Sequence, residues 1–166
     1  MPETVGNFKR GTILRFDAEG LDVGVSYNLN TASRHIAATV YVYPAPHVAS
    51  IGSTAEVIAG ARARLAEDEF QRRINEIIHA HPGAVPIHQR DVSRSANGKS
   101  YPGKCVVFEY EDVFAGARMP VRSHLYLFCY VDGKWVVKYR FTHPKSEDAE
   151  KEIADFIEKW SWDTSH

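Results

Sequence analysis

The spacing of apolar positions makes the first part of the chain a set of strands. Residues 12 to 16 and 22 to 28 flank Ala18-Glu19-Gly20, and the second run alternates Val23, Val25 and Tyr27 against Asp22, Gly24 and Ser26. That period of two predicts a half-buried hairpin. A third strand, Ala38-Thr39-Val40-Tyr41-Val42-Tyr43, is rich in β-branched and aromatic residues and meets Pro44 and Pro46, which cannot donate to a ladder.

The period then changes. Ser53 or Thr54 offers an N-cap, no proline follows until Pro82, and Val57, Ile58, Ala61, Leu65, Phe70, Ile74, Ile77 and Ile78 recur mostly at steps of three and four. This predicts one long amphipathic helix, ended by His81-Pro82-Gly83. Glu67, Asp68 and Glu69 fall off the stripe among Arg62, Arg64, Arg72 and Arg73, and they read as solvated charge in mutual ion pairs. Strands are expected next at about 85 to 95, 103 to 112, 121 to 131 and 134 to 142, with turn signals at Asn97-Gly98, Gly116 and Asp132-Gly133. From Ser146 a closing helix puts Ala149, Ile153, Phe156, Ile157 and Trp160 on one stripe. The pattern predicts a single α+β domain over residues 1–166: a twisted antiparallel sheet of about six or seven strands with one long and one C-terminal helix. Both helices are expected on one sheet face; one helix on each face would make three layers instead.

The hairpins also predict facings. Asp-Gly suits a two-residue type I′ turn, which sets Tyr130 opposite Trp135, Phe128 opposite Val137 and Tyr126 opposite Tyr139 on an aromatic core side. Leu127 with Lys138 and Leu125 with Arg140 then share a mixed side. A short hairpin around Gly116 adds Val107 and Glu109 to that side and brings Cys105 nearly opposite Cys129. The band Val107, Glu109, Leu125, Leu127, Lys138 and Arg140 is the candidate contact surface, and Cys105 and Cys129 form a candidate disulfide.

Composition narrows the function classes. Twenty Lys and Arg against twenty-one Asp and Glu leave no general field for nucleic acid, so none is expected as a partner. The longest apolar runs fall short of a membrane span. The first residues lack a secretory leader, which predicts a cytoplasmic protein as written, or a periplasmic one if a leader was removed. The chain carries no P-loop, GxGxxG, HExxH or GxSxG, so no cofactor is expected. Of the eight histidines, His79, His81 and His88 cluster near the end of the long helix without the three or four convergent ligands of a zinc site, so no metal is expected. His35, His47, His143 and His166 read as loop or tail residues.

The order of elements resembles the Mog1/PsbP-like α/β/α fold group. The likeness rests on the hairpin before Ala38-Thr39-Val40-Tyr41-Val42-Tyr43, the long helix after Pro46, the Asp132-Gly133 hairpin and the closing Phe156-Ile157-Trp160 helix. It implies an uncharacterised bacterial member. Members of that group are typically noncatalytic, among them a nuclear transport factor that binds a small GTPase, extrinsic photosystem subunits, and exported bacterial proteins and lipoproteins. It therefore implies a binding or accessory module with a protein or small-molecule partner. Two alternatives stand beside it: a small hydrolase or ligand-binding enzyme using His88, His124, Glu109 or Cys129, and a homodimer formed through an uncovered sheet face or edge.

Overall fold

The computed structural model describes residues 1–49, 51–96 and 98–162. Asn97 and His166, to which a turn and a tail were assigned above, lie outside the described residues. Eight strands form one antiparallel sheet: β1 (Thr4–Val5), β2 (Phe8–Arg15), β3 (Val23–Asn30), β4 (His35–Pro44), β5 (Val85–Ala96), β6 (Lys99–Phe114), β7 (Ala117–Val131) and β8 (Trp135–Pro144). Two helices complete it, α1 (Ala55–Ala80) and α2 (Glu150–Lys159). The eighth strand is β1, whose two residues are too few to show a period. A bulge between Arg10 and Ile13 similarly breaks the alternation of β2 and hides its first half.

The sheet order is β1-β2-β3-β4-β8-β7-β6-β5. Each half of the chain is thus a meander, and the two meet where β4 pairs with β8, Ala38 facing Phe141 and Val40 facing Tyr139. Between them α1 leaves the centre of the sheet and returns the chain at the far edge, where β5 begins.

The helices lie on opposite faces, which corrects the expectation that both cover one side. Under α2 the core contains Tyr27, Val40, Phe128, Tyr139, Phe141, Ile153, Phe156 and Trp160. Under α1 a second core contains Phe70, Ile74, Ile77, Val106, Phe108, Leu125, Leu127 and Val136. Apolar residues at alternate positions on both sides of β6 and β7 require cover on both sides. The stripe predicted for α2 is buried throughout. Edge-to-face contacts of Phe156 with Phe8, Tyr27 and Phe141 fix its approach. Arg94 reaches the carbonyls of Glu158 and Trp160 at the end of α2, where a cation complements the helix dipole. Among the described residues no helix is long and apolar enough to cross a membrane.

Two local features revise the predicted register. The β6–β7 hairpin turns tightly on Ala115 and Gly116, both at positive φ (50° and 85°), so Phe114 faces Ala117 and Val107 faces His124. The expected hairpin was centred later, on Gly116-Ala117-Arg118, so Cys105 faces Tyr126 and not Cys129, and that three-residue slip in register reverses every facing on β6. At the other hairpin Tyr130, Asp132 and Gly133 all take positive φ, and the register shifts by one between Phe128 and Val131. Phe128 with Val137 and Tyr126 with Tyr139 pair as predicted. Beyond the bulge Val131 replaces Tyr130 opposite Trp135 and enters the α2-side core.

Two glycines give opposite expectations. A Cβ on Gly103 would lie 2.5 Å from the Phe128 ring and 2.8 Å from the Leu127 carbonyl, so Gly103→Ala is expected to cost about 1–3 kcal/mol through overpacking. A Cβ on Gly60, inside α1, meets nothing within 4 Å, so Gly60→Ala is expected to gain up to about 1 kcal/mol of helix propensity. Urea unfolding of both variants checks the signs.

Candidate functional site

The mode of attachment of α1 creates the principal cavity. Its capping residue Thr54 accepts a hydrogen bond from the Val57 amide, and its second half drives Phe70, Ile74 and Ile77 into the sheet. Its first half presents Ala55, Ala59, Ala63 and Ala66 toward the strands instead. Methyl groups at that spacing are too short to reach them, and Ala59 and Ala63 remain exposed. A groove of about 970 Å³ results, with Leu127, Cys129 and Tyr130 on the sheet side and Ile58 and Phe70 on the helix side. Val57, assigned to the core stripe by spacing, is 58% exposed.

The groove ends at a buried polar clamp. Glu69 was expected on the wet side of the helix, yet it is 2% exposed. Its Oε1 accepts from the Tyr43 hydroxyl at 2.6 Å and from Arg73 Nε at 2.8 Å, and Oε2 meets Arg72 at 3.1 Å. Burial alone would raise its pKa; these bonds and the two guanidinium charges outweigh burial and hold the carboxyl below its usual range. Spacing gave no sign of this, because Tyr43 sits 26 residues away.

The rim of the groove carries charge. Arg62 lies over the Tyr130 ring, 5.1 Å from its centre, and among the described residues it meets no carboxylate. Lys104 pairs with Glu67 at 2.9 Å and Asp91 at 3.2 Å. The Cys129 thiol is pushed up to about 12, first by burial and then by the nearby Glu69 charge, so it is a soft apolar wall and not a thiolate.

The predicted contact band is divided by the fold. Leu125 and Leu127 are core beneath α1, and Lys138 and Arg140 lie beside them under the same helix. Val107 and Glu109 face the α2 side, opposite His124 and Arg122. Glu109 accepts from Lys145 at 2.6 Å and from Arg122 at 2.9 Å, which hold its carboxyl below the usual range. The band is therefore not one free surface. The cysteines are divided likewise: Cys105 packs in the α2-side core and Cys129 against the α1-side core. Both thiols are free, which corrects the disulfide, and the reversed facing of β6 is the cause.

Two histidines come together that sequence spacing left apart. His124 and His143 are buried on neighbouring strands, with Nε2 atoms 3.0 Å apart. His143 was read as a loop residue, but it lies within β8 and is 2% exposed. Its Nδ1 lies 2.9 Å from the Pro144 carbonyl. A carbonyl only accepts, so Nδ1 carries the proton, the His143 Nε2 lone pair is free, and His124 Nε2–H donates across the gap. Both imidazoles are neutral. Burial first, then the repulsion that protonating both rings of the pair would create and the Arg122 and Arg90 charges, push His124 down to about 3, and burial likewise lowers His143. Among the described residues no group of three or more His, Cys, Asp or Glu side chains could hold a metal ion.

The residues named for a hydrolase are not assembled. His124 and Cys129 are on opposite sheet faces, Glu109 is engaged in its ion pairs, and His88 is exposed on the edge strand β5. Compared with protein-family models and with curated proteins, the chain matches none.

The histidine pair sets a pH window. In the unfolded chain His124 takes up a proton near its ordinary value of 6.5, whereas in the fold it does so only near 3. Stability is therefore fully present above 6.5 and falls as the pH drops toward 3. His143 acts in the same sense, and each histidine contributes up to about 1.4 kcal/mol per pH unit within its window. Carboxylates enter only nearer 4.5, the ordinary value for Glu69. Urea midpoints are expected to fall from about pH 6.5 downward, and less steeply in His124→Gln. A midpoint indifferent to pH down to about 5 would contradict the buried neutral pair.

Proposed function

We propose that the protein is a noncatalytic binding module of Mog1/PsbP-like architecture, and that its site is the groove beneath the first half of α1. One observation carries this reading: an alanine face held off an apolar stretch of sheet, leaving a cleft of about 970 Å³, within the usual range for small-molecule sites. The antiparallel sheet with a helix on each face supports the architecture. The high pKa of Cys129 favours binding over covalent chemistry, since a protonated thiol is a poor nucleophile.

The lining also suggests a ligand class. The walls are methyl, methylene and aromatic groups, while Arg62 at the rim offers a guanidinium with no carboxylate partner among the described residues. An elongated apolar molecule with one anionic end matches both features: its chain displaces water from the alanine face and its head pairs with Arg62.

Laurate and its uncharged alcohol serve as probes in a calorimetric titration. Laurate is expected to bind saturably and the alcohol more weakly. Arg62→Ala should remove that difference, a loss of roughly tenfold in laurate affinity for one charge-assisted contact. Ala63→Trp fills the cleft without touching the buried core and should abolish binding of both. The absence of saturable binding, or binding indifferent to Ala63→Trp, overturns the assignment.

A further inference from the structure

A second, smaller cavity lies under the other end of α1, beyond the Glu69 clamp. It measures about 200 Å³ and is enclosed by Ile77 and Ala80 of the helix, Tyr41 and Leu125 of the sheet, and the cations Arg73, Lys138 and Arg140 with Glu76. That is too small for a drug-sized molecule and suits a single charged group. Lys138 and Arg140 stand two residues apart on β8, opposite Leu127 and Leu125, so the period of the strand points them the same way.

The charges here do not cancel in pairs. Arg73 is fully engaged, with Nε on Glu69 at 2.8 Å and Nη1 on both oxygens of Glu76 at 2.7 and 2.8 Å. Arg140 bonds only to neutral oxygens, Nε to Ser123 Oγ at 2.6 Å and one terminal nitrogen to the Tyr110 hydroxyl at 3.0 Å. Lys138 rests on the Tyr41 ring, with Nζ 3.9 Å from its centre. Among the described residues neither Lys138 nor Arg140 has a carboxylate partner. The nearby carboxylates Glu69 and Glu76 favour the charged Lys138, but both are already bonded to Arg73, so three cations share two carboxylates, and an anion between Lys138 and Arg140 relieves the cost of that excess.

We propose that Lys138 and Arg140 form a binding site for a small oxyanion, the phosphate or carboxylate group of a ligand, in the cavity under the second half of α1. Arg140 supplies the planar donor fork, already oriented by Ser123 and Tyr110, and Lys138 supplies the point charge. Burial pushes the Lys138 amine down to about 8, with Arg73 and Arg140 lowering it further against the raising effect of Glu76 and Glu69; a bound anion opposes that shift, so ligand binding and protonation of Lys138 reinforce each other. The site is separate from the alanine-lined groove and stands whether or not that groove binds laurate.

The test titrates the full chain with inorganic phosphate and, separately, with acetate, followed by calorimetry and by the lysine ε-carbon shifts in NMR. Saturable binding of either anion, with a rise in the Lys138 pKa, is expected; phosphate alone identifies a phosphoryl ligand, and acetate as well identifies a general oxyanion site. Lys138→Met keeps the stem on Tyr41 and removes the charge, and it should weaken binding by roughly tenfold or more. Arg140→Gln should do the same, and if that variant fails to fold, Lys138→Met alone decides. Lys145→Met, on the α2 side at Glu109, should leave binding unchanged. No saturable binding of either anion, or binding that is undiminished in Lys138→Met, overturns the proposal.

Discussion

A single buried carboxylate determines how the long helix meets the sheet. Glu69 occupies the middle of α1, and the bonds that the Tyr43 hydroxyl makes with Glu69 and with Arg73 of the same helix tie the helix to β4 at the residue before Pro44. A buried charge is tolerated only where its lone pairs are satisfied, so helix rotation, helix height and the end of β4 are fixed together. On one side of this tether the helix has long apolar side chains and lies down; on the other it has alanines and stands off. The groove and the cation cavity are the two spaces left on either side of the same tether.

The sheet divides the molecule chemically as well as spatially. Its α2 face is aromatic at its centre, with Tyr139, Phe141, Phe156 and Trp160 in mutual contact, and carries a polar cavity of about 420 Å³ at the neutral histidine pair near one end. Its α1 face is aliphatic, incompletely covered and bordered by arginine and lysine. Residues adjacent in the chain therefore experience different media: Phe128 is packed among rings, while Cys129 lines an open cleft. The apolar groove and the cation cavity both lie on the aliphatic face.

The elements were largely legible from the sequence, because long periodic stretches such as Ile153–Phe156–Ile157–Trp160 leave little ambiguity. The facings were less so. One positive-φ residue, Ala115, tightens a hairpin and reverses β6; another, Tyr130, bulges β7 and exchanges its place with Val131. Neither is glycine, so neither announces its conformation. The site was hidden for a different reason. Ala55, Ala59, Ala63 and Ala66 repeat at helical spacing and were visible as letters, but a row of alanines signals close packing as readily as a gap until the depth of the neighbouring side chains is known. Tyr43, which meets Glu69, and His124, which meets His143, are far from them in sequence, and no local pattern reports those contacts.

The seam between β4 and β8 also bears on how the chain folds. Each meander is built from neighbours in sequence, whereas the seam sets Ala37 against Thr142 and closes the long segment between them into a loop. Its closure entropy must be met before its hydrogen bonds and aromatic contacts return anything. The two meanders can be built from local contacts, and their joining at β4 and β8 carries the largest loop-closure cost in the sheet. Until they join, the edges of β4 and β8 are open strands, and this interval, more than the finished fold, is when the chain is exposed to pairing with another copy of itself.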